Sequence, residues 1–289
     1  MCKKCFLRSI EEKTARTMSK FSMLNYDDRV AIGVSGGKDS LSLLYIIKTI
    51  FDEHHRSSLV AITIDEGITG YRNESIQIAK DFCAKLKVEN KILRYKDLFG
   101  TDMDEAMTRR PSEKKMSSCS ICGTFRRRAL DLAAESVDAN VIATAHNLDD
   151  QLQTFLINFL AGDVERMGWN YPGPVQYGTN NLRKIKPFAE IYEQEIVFYA
   201  MQREIPFQSE ECPYTNESIR TELRQFLNGL EKNHPGIKYN AYNSMIKISK
   251  DLKSFQKIGS ESNRCSVCGR DSTGNICSVC KLKDALKCQ

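Results

Sequence analysis

Several things are missing from this 289-residue sequence, and each absence excludes a class of protein. No run is apolar over the ~20 residues that a bilayer-spanning helix needs. The opening Met1-Cys-Lys-Lys-Cys5 has no signal-peptide character, so the expectation is a cytoplasmic protein with no membrane partner. Neither sign of charge dominates: 42 Lys and Arg stand against 37 Asp and Glu, a net charge of +5. Tryptophan occurs once, at Trp169, and histidine four times. No histidine or second cysteine pair follows Cys2 and Cys5 before the glycine-rich stretch at 33–37, so tetrahedral zinc at Cys2/Cys5 would lack half its ligands locally. A hydrophobic content of 41% and a charged content of 27% suit a soluble globular chain long enough to bury a sizeable core.

What is present is concentrated. Residues 109–128 carry Arg109, Arg110, Lys114, Lys115, Arg126, Arg127 and Arg128 against Glu113 alone; that local excess of +6 exceeds the whole chain's +5. A basic patch of this kind suits a polyanionic partner, with a solvated face as the plain alternative. Eleven cysteines in a chain of this type point to metal or catalysis rather than disulfides. They group as Cys2/Cys5, Cys119/Cys122, Cys212, and Cys265/Cys268 with Cys277/Cys280. Cys83 falls on the apolar side of an expected helix and reads as core, and Cys288 has no distinct reading.

The densest signal is Gly33-Val34-Ser35-Gly36-Gly37-Lys38-Asp39-Ser40. A buried strand reads into it over 29–34. A helix reads out of it, with Leu41, Leu44, Ile47, Ile50 and Phe51 on one face. A strand that breaks into glycines and restarts as a helix aims backbone N–H groups and a positive dipole end at one point, which is an anion site. The spacing fails the G-x-x-x-x-G-K-[ST] rule of the Walker loop. Ser35-Gly-Gly-Lys-Asp-Ser40 instead resembles the PP-loop of the ATP pyrophosphatases, which implies cleavage of ATP to AMP and pyrophosphate.

Further strands are expected at 58–64, 91–95 and 140–145, and helices at 8–24, 39–53, 73–87, 123–136, 148–160 and 190–203. Such alternation predicts a parallel sheet with helices on both faces. Ligands of these sheets bind at the carboxyl ends of the strands, so 35–40, 63–67 and 144–150 should converge. Residues 162–182 read as a long irregular loop, and 216–258 as helices interrupted at His234-Pro-Gly236.

Two C-x-x-C knuckles eight residues apart, Cys265/Cys268 and Cys277/Cys280, predict a closed structural Zn²⁺ site, with iron–sulfur or disulfides as alternatives. A segment this short has little core of its own, so metal would supply its folding energy. Cys119-Ser-Ile-Cys122-Gly123 opens a helix among arginines, a setting that favours thiolate. By its residues alone it could be a redox pair, half of a metal site, a nucleophile or an inert pair.

The PP-loop, Cys119-x-x-Cys122-Gly123, Ala145-His-Asn-Leu-Asp-Asp150, Lys186-Pro-Phe188, Glu211-Cys-Pro213 and the paired knuckles follow one another in this order along nearly the whole chain. The chain thereby resembles the tRNA 2-thiouridine synthetases of the TtuA/Ncs6 type. That resemblance implies an α/β fold: a parallel-sheet PP-loop domain (adenine nucleotide alpha hydrolase-like), a helical extension and a terminal zinc knuckle. The divisions expected are 1–28, 29–212 for the catalytic domain, 213–260 for a helical tRNA-binding extension, and 261–289.

The resemblance further implies that Cys119, Cys122 and Cys212 hold a [4Fe-4S] cluster whose fourth iron is open to hydrosulfide. A persulfide on Cys122 or Cys212 is the alternative chemistry. Ser35, Gly36, Gly37, Lys38, Asp39 and Ser40 would hold ATP, with Asp39 placing Mg²⁺. Backbone at Thr63 and Ile64 would meet adenine, Gly123 and Arg126 would lie near ATP, and Asp149 or Asp150 would face them across the cleft. His146 reads equally well as a structural histidine. The implied reaction adenylates uridine O2 and then replaces that oxygen with sulfur. Expected partners are tRNA, a sulfide or ubiquitin-like sulfur carrier, and a second copy of the chain. The wobble uridine is preferred to the T-loop. A tRNA 2-thiocytidine synthetase and a non-catalytic zinc-bearing RNA-binding protein are the rival readings. The family's first zinc site is incomplete here, and Arg126 stands where some relatives have lysine.

Overall fold

The structure, a computed structural model, describes residues 1–54, 58–111, 116–176, 182–214, 219–256 and 263–288. Glu113, Lys114 and Lys115 of the basic stretch, residues 177–181 of the long loop, the entry to the helical region at 215–218 and the 260/261 division lie outside them.

Apolar runs bounded by turns form β1 (Val30–Gly33), β2 (Leu59–Asp65), β3 (Asn90–Arg94) and β4 (Val141–Ala143). With β5 (Val175–Gln176) and β6 (Arg183–Ile185) they make one sheet in the order β3-β2-β1-β4-β6-β5. All pairs are parallel except β5 with β6 at the edge. Gly33 is in register with Ile62, and Ala143 with Ile185.

Alternate residues of the central strands feed opposite layers. Val30, Ile32, Ala61, Val141 and Ala143 face one core, and Ala31, Val60, Ile62 and Ile142 the other. Burial on both faces is why these strands read as unbroken apolar runs. The first core is covered by α1 (Lys3–Lys20), α2 (Lys38–Glu53), α3 (Arg72–Lys85) and α9 (Glu193–Gln202). The second is covered by α4 (Tyr95–Phe99), α5 (Met103–Thr108), α6 (Ser118–Glu135) and α12 (Ser278–Ala285). A third cluster joins α7 (Leu148–Leu160) to α10 (Ile219–Asn233) and α11 (Ile237–Gln256) through Leu148, Leu152, Leu227, Tyr242 and Met245.

The chain runs outward from β1 to β3 and then returns to β4 on the other side of β1. The reversal lies between β1 and β4, where open α/β sheets leave a crevice for ligands. The turn after β1 and the segment after β4 therefore share one edge.

Three expectations need adjustment. The first helix starts at Lys3, not near 8, because Cys2 is its N-cap. The 162–182 loop contains α8 (Val164–Gly168), capped by the Asp163 side chain on the Arg166 N–H, as well as β5. Arg183–Ile185, expected as the approach to a helix, is a fifth parallel strand. Three residues, two of them basic, carry no readable periodicity, and β4 supplies the pairing that makes them a strand.

Candidate active site

The glycine turn is built from strand, turn and helix in eight residues. α2 starts without a side-chain cap, which leaves its N-terminal N–H groups for an anion. Gly36 has φ +87°, and a Cβ there would sit 2.2 Å from the Ser75 carbonyl oxygen, so only glycine fits. The Ser40 hydroxyl donates to the Gly37 carbonyl at 3.0 Å and accepts from the Ser35 N–H at 3.1 Å, closing the turn.

Lys38 Nζ donates to Asp39 Oδ2 at 2.9 Å and Glu193 Oε1 at 3.1 Å. Burial works against the Lys38 charge, but Asp39 and Glu193 outweigh it and hold its pKa above the ordinary value. Burial raises Asp39, and Lys38 only partly offsets it. Asn147 Nδ2 reaches Asp39 Oδ1 at 3.3 Å, tying the turn to the segment after β4.

The two aspartates of that segment have different surroundings. Asp150 forms a capping box with Asn147 at the start of α7, and burial raises its pKa beside Lys38, Glu193 and Arg220. Asp149 is 5% exposed and turned toward the helical extension. It accepts from Lys238 Nζ and, at 2.8 Å, from the Glu193 N–H. Asp150 therefore flanks the Asp39 cluster, whereas Asp149 locks α11 behind it. His146 is open to solvent, and its Nδ1 lies 2.8 Å from Thr144 Oγ1. The protein around the ring, then the charges of Lys186, Arg220 and Arg126, lower its pKa. Lys186, at the carboxyl end of β6, donates to Gln151 Oε1 at 3.0 Å; burial pushes its pKa down to about 8.

Thr63 is fully buried, with its hydroxyl on Asn90 Oδ1 at 3.0 Å, and the Ile64 carbonyl accepts from Arg72. These two residues form a wall whose hydroxyl and carbonyl are already engaged.

Cys119 and Cys122 sit in the first turn and a half of α6, three residues apart and so on neighbouring positions of one face. Cys119 is exposed and Cys122 half-buried. The helix is fixed by Tyr95, whose hydroxyl donates to the Cys122 carbonyl at 2.9 Å. Phe99 stacks on Phe125 with ring centroids 4.5 Å apart, a contact worth roughly 0.5–1.5 kcal/mol beyond burial.

The limb carrying Cys212 is pinned at both ends. The Gln208 N–H donates to the Gly36 carbonyl at 3.2 Å, and the Ser118 hydroxyl to the Tyr214 carbonyl at 3.0 Å. Cys212 is thereby close enough to Cys122 for its charge to disfavour the Cys122 thiolate. Burial raises the Cys122 pKa, and Arg126, with Nη2 3.3 Å from Cys122 Sγ, opposes it. Gly123 follows in the same turn, and a Cβ there would meet Arg127 Nη1 at 3.3 Å.

Between the cysteines and the glycine turn lies a charged bridge that sequence reasoning passed over. Arg126 Nε and Nη2 contact Glu66 Oε1 at 2.9 and 2.8 Å. Arg72 Nε pairs with Glu66 Oε2 at 2.6 Å, and Arg72 Nη1 donates to the Ser35 carbonyl at 3.0 Å. Glu66 and Arg72 are 3% and 5% exposed. Arg126 was expected near ATP; its contacts here are to Glu66 and Cys122. The available clue was position: Glu66 follows directly on the carboxyl end of β2.

Among the described residues, the four terminal cysteines are the group whose ligand atoms all lie within 4.8 Å of one another. Cys268 and Cys277 Sγ are 3.8 Å apart, which matches the ~3.8 Å edge of a tetrahedron with Zn–S bonds of ~2.3 Å. The Cys277 N–H, 3.3 Å from Cys265 Sγ, lowers that thiol to about 6. The donor set fits zinc. Arg270 clamps both oxygens of Glu135 at 2.9 Å and docks the knuckles on α6. Cys119, Cys122 and Cys212 do not form such a tight group; one is exposed and two are half-buried, and their soft sulfur donors are of the type an iron–sulfur group takes. Cys2 and Cys5 are exposed neighbours at the start of α1, and among the described residues no third ligand joins them. Cys83 is buried in the first core, as expected, which pushes its thiol up to about 12. Cys288 packs, partly buried, against the second core.

Residues 9–230 match the PP-loop domain family. The tRNA 2-thiolation protein NcsA of Haloferax volcanii is 31% identical over 99% of this chain and 93% of its own length. The cytoplasmic tRNA 2-thiolation protein 1 of Candida glabrata is 35% identical over 99% of this chain and 81% of its own. Among solved structures, the U34-tRNA thiolase NcsA from Methanococcus maripaludis with its [4Fe-4S] cluster superposes with a TM-score of 0.81. It is 31% identical, and the match covers 98% of this chain and 89% of that one.

Proposed function

The chain belongs to the PP-loop domain family and, within it, to the tRNA 2-thiolation proteins, and on that footing we propose that it is an ATP-dependent tRNA sulfurtransferase that forms 2-thiouridine. One observation carries the reading from family to chemistry. The Gln208–Gly36 bond and the Ser118–Tyr214 bond hold the limb carrying Cys212 between the nucleotide turn and the start of α6, which supports grouping Cys212 with Cys119 and Cys122.

In this reading the N-terminus of α2, with Ser35, Gly36, Gly37, Lys38 and Ser40, binds the ATP phosphates. Asp39 and Asp150 place Mg²⁺, and Thr63, Ile64 and Gly123 line the nucleotide's seat. Asp149 acts through α11, as its contacts with Lys238 and Glu193 suggest. The O2 of the uridine attacks the α-phosphorus, an O–P bond forms, and pyrophosphate leaves with the bridging oxygen. The former carbonyl oxygen is now part of a good leaving group. Hydrosulfide, free or released when water cleaves the carbonyl–sulfur bond of a ubiquitin-like carrier's thiocarboxylate, adds at C2, and AMP departs with the oxygen. Lys38, and Lys186 when protonated, offset the negative charge that builds on phosphate. Cys119, Cys122 and Cys212 would hold a [4Fe-4S] cluster, which when bound supplies an iron to carry sulfide. Cys265, Cys268, Cys277 and Cys280 would hold Zn²⁺ as a structural ion.

The target proposed is the wobble uridine, supported by the U34 specificity named for the methanogen thiolase. The tRNA would lie along Arg126, Arg127 and Arg128 and the helical extension at 213–260. Cytoplasmic work is supported by the name of the fungal relative, and no described helix is long and apolar enough to cross a membrane. The assembly proposed is a homodimer, read out by sedimentation. Mass spectrometry of tRNA nucleosides from a deletion strain, mapped by position, tests the function. Loss of 2-thiouridine at position 34 is expected; an unchanged nucleoside profile would overturn the assignment.

A further inference from the structure

Glu66 stands at the carboxyl end of β2 with its carboxylate between two guanidinium groups that serve different parts of the site. On one side Arg126 continues to Cys122 Sγ at 3.3 Å. On the other, Arg72 donates to the Ser35 carbonyl of the glycine turn at 3.0 Å and also to the carbonyl of Ile64 and the hydroxyl of Ser75. Ser75 is in turn the residue whose carbonyl lies against Gly36. Resting on the thiolation reading, we infer that Glu66 is a positioning residue that fixes the sulfur-bearing cysteines and the nucleotide turn in one geometry.

The physical case has three parts. Arg72 and Glu66 are buried and Arg126 is half exposed; desolvation on one side and solvent screening on the other leave such pairs little net stability, so the consequence of this bridge lies in geometry. Glu66 Oε1 accepts from Arg126 while Oε2 lies 2.6 Å from Arg72 Nε as an ion pair, so one carboxylate faces both guanidinium groups. The charges also leave an excess of one sign. Two arginines against one glutamate leave +1 inside the bridge, and the sulfur of Cys122 is the next group that Arg126 meets. Glu66 itself is held from behind, its carbonyl accepting from the Met103 N–H at 2.8 Å. Reaction requires the sulfur to arrive at a base that is activated on the α-phosphate, and an ångström of misplacement between the two halves is costly.

The test uses Glu66→Gln, which keeps size and removes the charge. Affinity for a non-hydrolysable ATP analogue is measured on cluster-free protein, and iron retained per chain is measured after anaerobic reconstitution and gel filtration. Neither readout involves tRNA or turnover, so failure here is distinguishable from failure of the thiolase assignment. Both should fall together, the affinity by about tenfold, as for loss of a hydrogen bond to a charged group. Glu66→Asp should recover part of each. If Glu66→Gln does not fold, Arg72→Lys replaces it, since an ammonium cannot reach Glu66, Ser35 and Ile64 at once. It should lower iron retention although Arg72 bonds to Ser35, Ser75, Ile64 and Glu66 rather than to a cysteine. A folded variant that shifts only one readout, or neither, overturns the inference.

Discussion

The backbone N–H of Gln208 donates to the carbonyl oxygen of Gly36 at 3.2 Å, joining two points 172 residues apart in sequence. Four residues beyond Gln208 comes Cys212, so this bond sets the distance between the nucleotide turn and the third thiol. The Gln208 side chain adds a second anchor, donating to the Tyr71 carbonyl at 2.8 Å. The limb is short and held at both ends, and the sulfur it carries has little freedom to swing away from α6.

Gly36→Ala should disable the turn. Its φ of +87° is strained for any side chain, and the Ser75 carbonyl is backbone that cannot give way. A destabilisation of at least about 2 kcal/mol in urea unfolding is expected, together with loss of nucleotide binding by calorimetry. Binding at the native level would show that the turn is not the phosphate seat.

Asp39→Asn should abolish thiolation while leaving tRNA affinity within about twofold. Asp39 is tied to Lys38 and Asn147 inside the cleft, away from the basic surface. Nucleoside mass spectrometry and filter binding read the two properties separately, and parallel loss of both would contradict the role given to Asp39.

Metal content should separate by cysteine group. Cys119→Ser, Cys122→Ser or Cys212→Ser should lose iron on anaerobic purification and keep zinc. Cys268→Ser should lose zinc, keep iron, and raise hydrogen exchange across residues 263–288, most in the knuckle turns, because α12 also packs on the second core through Val279, Leu282 and Leu286. Chelation of zinc should give the same exchange pattern. Protection of 263–288 unchanged by either treatment would rule out a structural metal.

The Lys186 pKa, about 8, lies below its ordinary value of 10.5, so between those values the unfolded chain binds more protons at this residue than the folded one. Stability attributable to Lys186 therefore rises with pH across that window, and below pH 8 its charge is a burden on the fold. Lys186→Met should melt above the wild type at pH 7, with the gap closing as pH climbs through 8 toward 10.5, and it should thiolate poorly. A gap that does not vary with pH would place Lys186 in water rather than in the cleft.

Arg127 and Arg128 lie on α6 beyond the cysteines, and their joint replacement by Ala should weaken tRNA binding most at low salt. The slope of log K against log salt should become shallower by about 1–2, roughly one unit for each phosphate no longer neutralised. An unaltered slope would make this stretch a solvated face.

Local features were legible in the sequence because their causes are local. Ser35–Ser40 carries its own turn, 148–160 its own helical run, and Cys265–Cys280 its own paired knuckles. The β6 strand was not legible, since Arg183–Ile185 becomes a strand only by pairing with β4. Nor was the difference between Asp149 and Asp150. Adjacent residues at a helix start point in different directions, and which direction is buried depends on Lys238 arriving from α11.

Residue type and spacing by themselves determined which chemistry this chain can carry: an anion-binding turn, soft metal ligands in separate groups, and a sheet of alternating strands and helices. Tertiary structure decided which of these parts meet. Glu66, Arg72 and Arg126 become one bridge, and the limb that carries Cys212 is tied to the glycine turn and to Ser118 of α6, through contacts between segments far apart in sequence. Contacts between residues so far apart in sequence leave no period or local pattern to read, and only the packed fold pairs them.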